Sequence, residues 1–408
     1  MPGKTTLVSS AAQLLKIAKT AVGGDTILLA PGNYGDVSLS SLRPTGAVTI
    51  KSANPDADAV FDSLKLTRVS NFVIADVDIH HVLKPGEQEW ISAAVVNMSD
   101  NISFVGVDFT GSLNGNANDD GNGLMVNSSS RIAVLDSTFQ QFNNSIVIAR
   151  VDDVIVAGNT IREAREGVNI SQVDGGLFER NLVTDIRPDV TKGDHSDAFQ
   201  VHSGGTAGIS NDLAFRSNVM LLGGGSGGAQ GIYINSEKGL TQGLNHTNIT
   251  VDNNYYEGNF RNAISANSVD NIVISGNTVR DGNGVGIPPG IATSNLTNAI
   301  ITGNITPIYD ARRGDAFASL NLVMSNNIDV WDATTKKGVT DVSLFAAPVN
   351  SGNIDFSSLE VRPGSVAALS GAGFHSVAGI GNLSGTAAAQ LAAYVPQFDH
   401  QFVSNHFV

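Results

Sequence analysis

The stretch that decides the fold is Val154–Ile161, VIVAGNTI, in which a short apolar run ends at Gly-Asn and a second short run follows. The same pattern returns six more times, and an Asn always occupies the turn; these residues are Asn159, Asn181, Asn218, Asn254, Asn277, Asn304 and Asn327. Ser137 takes the same position one step upstream. The regular steps are 22 or 23 residues long, one is 27, and two are 37 and 36.

This period predicts a parallel β-helix. A step of 22–23 residues is shorter than a helical-pair repeat or a propeller blade. It fits one coil built from three short strands. Asn tolerates left-handed backbone angles at a turn, and stacked Asn side chains can form a hydrogen-bonded ladder. Hairpins, the alternative, would need partners about 8–12 residues apart.

The start of the chain predicts a helical cap over the open end of this solenoid. Ser10 and Gln13 form a capping box, and an apolar helical face follows over about residues 10–22. Next comes Gly23–Tyr34, GGDTILLAPGNY, which resembles the first coil of right-handed parallel β-helix proteins of the pectate-lyase-like superfamily. The resemblance implies an all-β, single-stranded right-handed parallel β-helix and a carbohydrate-active protein.

The resemblance covers about residues 10–335, so we expect a β-helix over 1–335, including the N-terminal helix. Residues 336–408 lose the Asn pattern and become rich in Ala, Gly and Ser. We expect them to form a C-terminal cap or appendage, with a secretion signal as a candidate feature of its end.

Composition excludes several classes of function. The net charge of −14 argues against a nucleic-acid partner, which needs a basic face. The chain has no Cys, which excludes disulfides, thiolate metal sites and Cys nucleophiles. It has no apolar run of about 18 residues, so no membrane span is expected. A local basic cluster can still bind an acidic sugar.

One strand face is expected to carry a polar stripe. If Phe199 and Val201 point inward, Gln200 and His202 point outward, because side chains alternate along a strand. The same register turns these residues outward: Asn127, Asn169, Ser171, Tyr233 and Asn235. Such amides, hydroxyls and aromatic groups suit sugar binding, although a solvated face without function would look similar.

The densest cluster of chemical groups is the segment 192–202, KGDHSDAFQVH. It holds Lys192, Asp194, His195, Asp197 and His202. The two longest steps flank it, so loops project there, and loops on a rigid scaffold concentrate function. The segment Asp194-His-Ser-Asp197 is also similar to the Asp-Pro-His-Asp segment of mannuronan C5-epimerases, with no Pro before the His.

These residues suggest β-elimination on a uronic acid, in which a base removes the C5 proton while the C6 carboxylate is neutralised. His195 or His202 would be the base, since imidazole titrates near neutrality. Asp194 or Asp197 would orient it, and Tyr233 would protonate the leaving oxygen. The candidates that neutralise the substrate carboxylate are Lys192, Arg216, Lys238 and Arg261. Further candidates for substrate binding are Gln200, Asn169, Asn235, Arg312 and Arg313.

Other functions remain open on the same fold. A glycoside hydrolase would use Asp194 and Asp197, with Glu237 or Asp315, as acid and base. A C5-epimerase would share the first step of elimination. A polysaccharide-binding adhesin or tail protein would keep the polar stripe without needing a tuned imidazole.

We predict a polysaccharide lyase acting on an acidic, uronic-acid-containing bacterial exopolysaccharide. The chemistry requires no cofactor, and Asp119 and Asp120 are lower-ranked Ca²⁺ ligands in an Asn-rich loop. The N-terminus lacks a secretory signal, and the ending QFDHQFVSNHFV is similar to uncleaved type I secretion signals. We therefore expect an extracellular protein; a terminal segment that docks on the body explains this ending equally well.

Overall fold

A computed structural model describes residues 3–189, 191, 193–194, 196–222, 228–282, 288–311, 319–332, 337–338, 344–345 and 356–383. No helix in these ranges is long and apolar enough to cross a membrane. Three α-helices lie in them, namely α1 (Ala11–Ala18), α2 (Gly239–Gln242) and α3 (Val366–Ser370). Short 3₁₀ turns span Ala117–Asp119 and Phe356–Leu359.

Strands dominate the described residues. In chain order they are β1 (Thr5–Val8), β2 (Thr26–Leu29), β3 (Gly32–Asn33), β4 (Asp36–Ser40), β5 (Val48–Ser52), β6 (Ala59–Phe61), β7 (Ser63–Thr67), β8 (Ser70–Ala75), β9 (Asp78–His80), β10 (Ser92–Asn97), β11 (Asp100–Val105), β12 (Asp108–Thr110), β13 (Asn122–Leu135), β14 (Thr138–Gln140), β15 (Asn144–Ala157), β16 (Thr160–Arg162) and β17 (Glu166–Glu179). They continue with β18 (Leu182–Thr184), β19 (Asp197–His202), β20 (Asn211–Arg216), β21 (Val219–Leu221), β22 (Gln230–Asn235), β23 (His246–Asp252), β24 (Tyr255–Gly258), β25 (Asn262–Ser275), β26 (Thr278–Asp281), β27 (Gly290–Thr302), β28 (Ile305–Thr306), β29 (Ile308–Ala311), β30 (Leu320–Ser325), β31 (Ile328–Asp329), β32 (Trp331–Asp332) and β33 (Lys337–Gly338).

Two large parallel sheets contain nearly all of these strands. The first has 19 strands: β1, β2, β4, β5, β7, β8, β10, β11, β13, β15, β17, β19, β20, β22, β23, β25, β27, β29 and β30. The second has 12 strands: β3, β6, β9, β12, β14, β16, β18, β21, β24, β26, β28 and β31. Only β32 and β33, among the strands described, pair antiparallel.

This strand pairing contradicts the predicted single-stranded right-handed parallel β-helix. Six parallel strands of the first sheet, β17, β19, β22, β25, β23 and β20, pair in a closed ring, which makes a parallel barrel. The second parallel sheet lies beside it. The all-β content was predicted correctly, whereas the arrangement of three short strands in each coil was not.

The physical reason is that several strands continue through the position where the prediction placed a break. The strands β13, β15, β17 and β25 each extend for 14 residues. In β13 the chain bends at Ser128 (φ 49) and Arg131 (φ 52) and keeps its parallel partners on both sides. Because β17 and β25 each pair along both halves, they close the ring. No Gly or Pro in the bend signals a break.

The interior is filled by apolar side chains that repeat from strand to strand. Parallel register places equivalent residues beside each other, so Phe109 stacks on Phe139 with ring centroids 4.4 Å apart. Phe178 and Phe215 stack in the same way at 4.9 Å. All four rings are fully buried, and this burial supplies much of the stabilisation.

The predicted Asn ladder is confirmed. Each Asn side chain donates to the next, beginning with Asn159 Nδ2 to Asn181 Oδ1 at 3.0 Å and Asn181 Nδ2 to Asn218 Oδ1 at 2.9 Å. The series continues through Asn254, Asn277, Asn304 and Asn327. Ser137 starts it, since its backbone N–H donates to Asn159 Oδ1. The ladder therefore fixes the turn on every successive strand layer.

Both ends of the described chain pack on the sheets. The helix α1 is shorter than predicted and begins after Ser10, whose Oγ accepts from the backbone N–H of Gln13. At the other end, Leu383 packs on an apolar patch of the first sheet, and its N–H donates to Asp136. The division at residue 335 stays a prediction.

Candidate active site

A row of polar side chains crosses the first sheet where six neighbouring strands begin. We call it the strand-start row; its members, in order across the sheet, are Asn122, Asn144, Glu166, Asp197, Gln230 and Asn262. The parallel register pairs Asn144 with Glu166 and Asp197 with Gln230. The order is therefore two amides, two carboxyl groups and two amides, with the carboxyl groups in the centre.

The two central carboxyl groups are buried and lie on adjacent strands. Glu166 is 6% exposed and Asp197 is 0% exposed. Burial raises the pKa of Glu166 to about 7, although Arg165 lowers it and Asp194 raises it further. Burial raises the pKa of Asp197 well above its ordinary value, and the charge of Glu166 adds to this. Because one ionised carboxyl opposes ionisation of the other, the pair retains a proton near neutral pH.

Asp197 begins a chain of hydrogen bonds that runs across the outer face of the strands. Gln200 Nε2 donates to Asp197 Oδ2 at 2.8 Å, and Asn169 Nδ2 donates to Gln200 Oε1 at 2.8 Å. Asn169 Oδ1 lies 3.0 Å from His202 Nε2. Within the described part of the chain, Asp197 Oδ1 has no hydrogen-bond partner. A carboxyl oxygen buried without a partner is costly, which favours the protonated form.

His202 ends this chain as a neutral imidazole. Burial lowers its pKa, against the opposing charge of Glu237. The backbone N–H of Gly204 donates to Nδ1 at 3.3 Å, so Nδ1 carries the lone pair and Nε2–H donates to Asn169. Nδ1 is therefore the atom of this ring that can accept a proton.

An open polar cleft of about 480 Å³ adjoins the strand-start row. Its walls include Trp90, which is 66% exposed, together with Asn122, Asn144 and Arg165. Two nitrogens of Arg165 contact the carboxylate of Asp194, Nε–Oδ2 at 2.7 Å and Nη2–Oδ1 at 2.9 Å. Arg165 Nη1 also lies 3.1 Å from Glu166 Oε2. One guanidinium therefore links the cleft to the buried carboxyl pair.

The structure places the predicted polar stripe on one face. Phe199 and Val201 are fully buried, whereas Gln200 and His202 are partly exposed, as the alternation predicted. In register, Gln200 lies between Asn169 and Tyr233, and His202 lies between Ser171 and Asn235. Asn127 on β13 lies in the same row as Ser171 and His202, with Ala149 of β15 between Asn127 and Ser171.

Other predicted residues lie apart from this group. Arg216 lies at the end of β20, between Glu179 and Asp252 on neighbouring strands and not in the rows of Gln200 or His202. Lys238 Nζ donates to the backbone oxygen of Ala207. Arg261 precedes β25, three strands beyond β17, and forms an ion pair with Asp310 in a second pocket. Five candidates lie outside the described residues: Lys192, His195, Arg312, Arg313 and Asp315.

The Asn-rich loop uses its acidic residues for its own hydrogen bonds. Asp120 is buried and accepts from the backbone N–H of Ser112 at 2.8 Å and from Gln141 Nε2 at 3.2 Å. Asp119 accepts from Asn114 Nδ2 at 3.2 Å. Among the residues that the structure describes, no group of three or more His, Asp or Glu is arranged to hold a metal. Ca²⁺ binding by Asp119 and Asp120 stays a prediction, as does the expectation that no cofactor is required.

Sequence reasoning missed Glu166 and Arg165. A sequence pattern that could have found Glu166 lies at the first residues of the strands that carry the polar stripe. Six of them begin with a polar residue, a small residue and an apolar residue, as in Asn144-Ser-Ile, Glu166-Gly-Val and Asp197-Ala-Phe. Aligning these starts would have put Glu166 beside Asp197.

Comparisons with known proteins give distant structural likenesses. No family model and no curated protein matches the chain. An alginate lyase from Paenibacillus sp. str. FPU-7 is similar at TM-score 0.49 and 14% identity, covering 79% of this chain and 99% of that one. A PL6 alginate lyase complexed with a trisaccharide is similar at TM-score 0.46 and 10% identity, covering 93% and 95%.

A third similar structure is the catalytic domain of a GH87 alpha-1,3-glucanase with nigerose, at TM-score 0.39 and 13% identity, covering 83% of this chain and 67% of that one. These proteins are polysaccharide lyases and a glycoside hydrolase. TM-scores below 0.5 at such identities do not establish a fold or an activity for this chain. The similarity to mannuronan C5-epimerases stays a prediction.

Proposed function

We propose that this protein is an enzyme that cleaves a polysaccharide on the face formed by β17, β19 and β22. The observation that carries the proposal is the buried pair Glu166 and Asp197, both with raised pKa, next to a polar cleft. A surface that only binds sugar has no use for two buried proton-sharing carboxyl groups. Perturbed carboxyl groups beside a cleft are typical of acid–base catalysis.

The surroundings of the pair suit a sugar chain. Asn169 and Gln200 present amides on the outer face, and Trp90 presents a large exposed ring in the cleft. Amides bind hydroxyl groups, while a ring such as that of Trp offers an apolar surface with a polar edge. The cleft is open to solvent, as entry of a polymer requires.

The reaction that we propose is β-elimination from a uronic acid. A base removes the proton on C5, the bond from C4 to the glycosidic oxygen breaks, and a C4–C5 double bond forms. His202 is the proposed base because burial keeps the imidazole neutral, and its Nδ1 would give up the hydrogen bond from the Gly204 N–H when it takes the C5 proton. Tyr233, beside Gln200 in register, would give its proton to the leaving oxygen.

The substrate carboxylate needs a partner that stabilises its charge. Arg165 lies in the cleft wall, and although its Nε and one Nη2 donor hold Asp194, the second Nη2 donor would bind the substrate carboxylate. The proton held by Glu166 and Asp197 keeps that row from adding two full negative charges to the site. The roles predicted for Lys192 and His195 remain part of the proposal.

Hydrolysis is the second candidate, and a separate observation favours it. Three carboxyl groups, those of Glu166, Asp194 and Asp197, interact with one another around Arg165. Glu166 holds its proton up to about pH 7, as a general acid must, while Asp194 lies against a guanidinium that stabilises its charge. Such a difference between neighbouring carboxyl groups assigns an acid and a base.

An acidic bacterial exopolysaccharide remains the proposed substrate, and an extracellular location follows from the size of such a polymer. The test is to incubate purified protein with a panel of acidic polysaccharides. Elimination raises the ultraviolet absorbance of an unsaturated uronate. New reducing ends without that absorbance indicate hydrolysis. Binding without either product contradicts the proposal and favours an adhesin.

A further inference from the structure

Two arginines occupy the same position relative to the strand-start row. Arg165 directly precedes Glu166, and Arg261 directly precedes Asn262. The row passes from Glu166 through Asp197 and Gln230 to Asn262, which is three strand spacings. At about 4.8 Å for each spacing, the two positions lie about 14 Å apart along the sheet.

Each arginine lies in a pocket and faces an aspartate. Arg165 faces Asp194 in the cleft already described. Arg261 lines a separate pocket of about 190 Å³ with Gly290, Ile308, Tyr309 and Asp310. Its Nη2 lies 3.1 Å from Asp310 Oδ2, and its side chain is 45% exposed. A guanidinium has five N–H donors, so one contact of this kind leaves others for a ligand carboxylate.

The two strands between the arginines carry small residues at this position. Ser196 precedes Asp197 and Ala229 precedes Gln230, and both are fully buried. Neither side chain rises between the two pockets. The spacing of about 14 Å exceeds one sugar ring, so only a linked chain of sugars reaches both arginines.

We propose that Arg261 forms a second binding site for an acidic sugar, so that the protein holds a uronate oligomer that spans Arg165 and Arg261. This inference rests on the proposed function, since it assigns a substrate class to the same face. A uronate carboxylate in the second pocket would pair with Arg261 beside Asp310, and Tyr309 would line the sugar. Long oligomers then bind more tightly than short ones.

The experiment compares a dimer with an octamer prepared from alginate and from pectate. Binding is measured by calorimetry on a Glu166→Gln, His202→Gln background, which removes the proposed acid of hydrolysis and the proposed base of elimination and so separates affinity from turnover. Arg261→Gln weakens octamer binding about tenfold and leaves dimer binding within about twofold. Arg131→Gln is the matched control: it removes the same charge from a partly exposed ion pair with Asp100, away from the strand-start row.

Four outcomes decide against the inference, and a fifth decides only against the proposed function. Octamer affinity that Arg261→Gln leaves unchanged, or equal affinity for both lengths before substitution, excludes the second site. An equal loss of octamer affinity in Arg131→Gln would mean that the effect comes from overall charge and not from a second site. Binding with the predicted length dependence but no cleavage by the native enzyme overturns only the proposed function, whereas absence of any binding overturns both.

Discussion

The Asn ladder and the strand-start row are both stacks of polar side chains with one member on each successive strand, but they differ in how their hydrogen bonds are completed. In the ladder, Asn218 Nδ2 donates to Phe178 O and to Asn254 Oδ1, while its Oδ1 accepts two hydrogen bonds from Asn181. In the row, Asp197 is equally buried, yet its Oδ1 has no partner among the described residues.

The difference shows which stack stabilises the fold and which one we propose for catalysis. An amide has both donors and acceptors, so a stack of identical amides satisfies itself from layer to layer. A carboxylate only accepts, so two adjacent ones repel unless a proton joins them. Such an arrangement costs stability, and the neighbouring amides of Asn144 and Gln230 show that the same positions accept uncharged residues.

The largest expected effect comes from removing the acid without changing its shape. Glu166→Gln should lower kcat/KM on the polysaccharide that the native protein cleaves by about 100-fold or more if the cleavage is hydrolysis with Glu166 as the general acid, because a general acid contributes this much. Initial rates measure the effect. The control is Glu179→Gln, at the other end of the same strand, where the carboxylate pairs with Arg180. Activity above half of native in Glu166→Gln would remove this residue from the mechanism.

Breaking the ladder should lower the stability of the fold and leave activity near native. Asn218→Ala removes the hydrogen bonds that its Nδ2 donates to Phe178 O and Asn254 Oδ1 and the two that its Oδ1 accepts from Asn181, and should reduce the free energy of unfolding by about 2–4 kcal/mol. Urea denaturation measures this, and activity well below the transition should stay near native. The control Asn33→Ala removes hydrogen bonds from an exposed Asn and should cost about 1 kcal/mol or less. Equal costs for both variants would contradict the structural role of the ladder.

Local patterns allowed the sequence to predict the ladder and the face of each strand. Asn181 and Asn218 repeat at a fixed turn, and the alternation of Phe199, Gln200 and Val201 sets which side chains point inward. Both features depend on neighbours in sequence or on a repeat. The closed ring was not predictable in this way, because it depends on β17 and β25 pairing along both of their halves.

The site was harder to predict because its chemistry arises between distant residues. Arg165 and Asp194 are 29 residues apart and meet only across adjacent strands. The raised pKa of Glu166 comes from burial, which no local motif reports. The sequence cluster did contain Asp194 and Asp197, either as partners of nearby imidazoles or as the acid and base of a hydrolase, but it did not place Glu166 beside Asp197.

The smallest expected effect is a dependence of stability on pH that belongs to the row and not to the ladder. The pKa of Glu166 rises from 4.5 to about 7 on folding, so the folded state holds a proton that the unfolded state loses between these values. Its contribution to stability is therefore complete below about pH 4.5 and is lost as pH rises through about 7. Glu166→Gln cannot titrate, so the loss of stability between pH 5 and pH 8 should shrink by about 1–3 kcal/mol. Urea denaturation of both proteins at the two pH values measures it.

Asp136, whose pKa is also raised, titrates in both proteins and cancels in the difference. Asp197 loses a charged neighbour in the variant, which lowers its pKa and reduces the pH dependence further. Parallel pH profiles for the two proteins would mean that Glu166 is ionised throughout this range. The proposed contrast between the strand-start row and the Asn ladder would then be wrong.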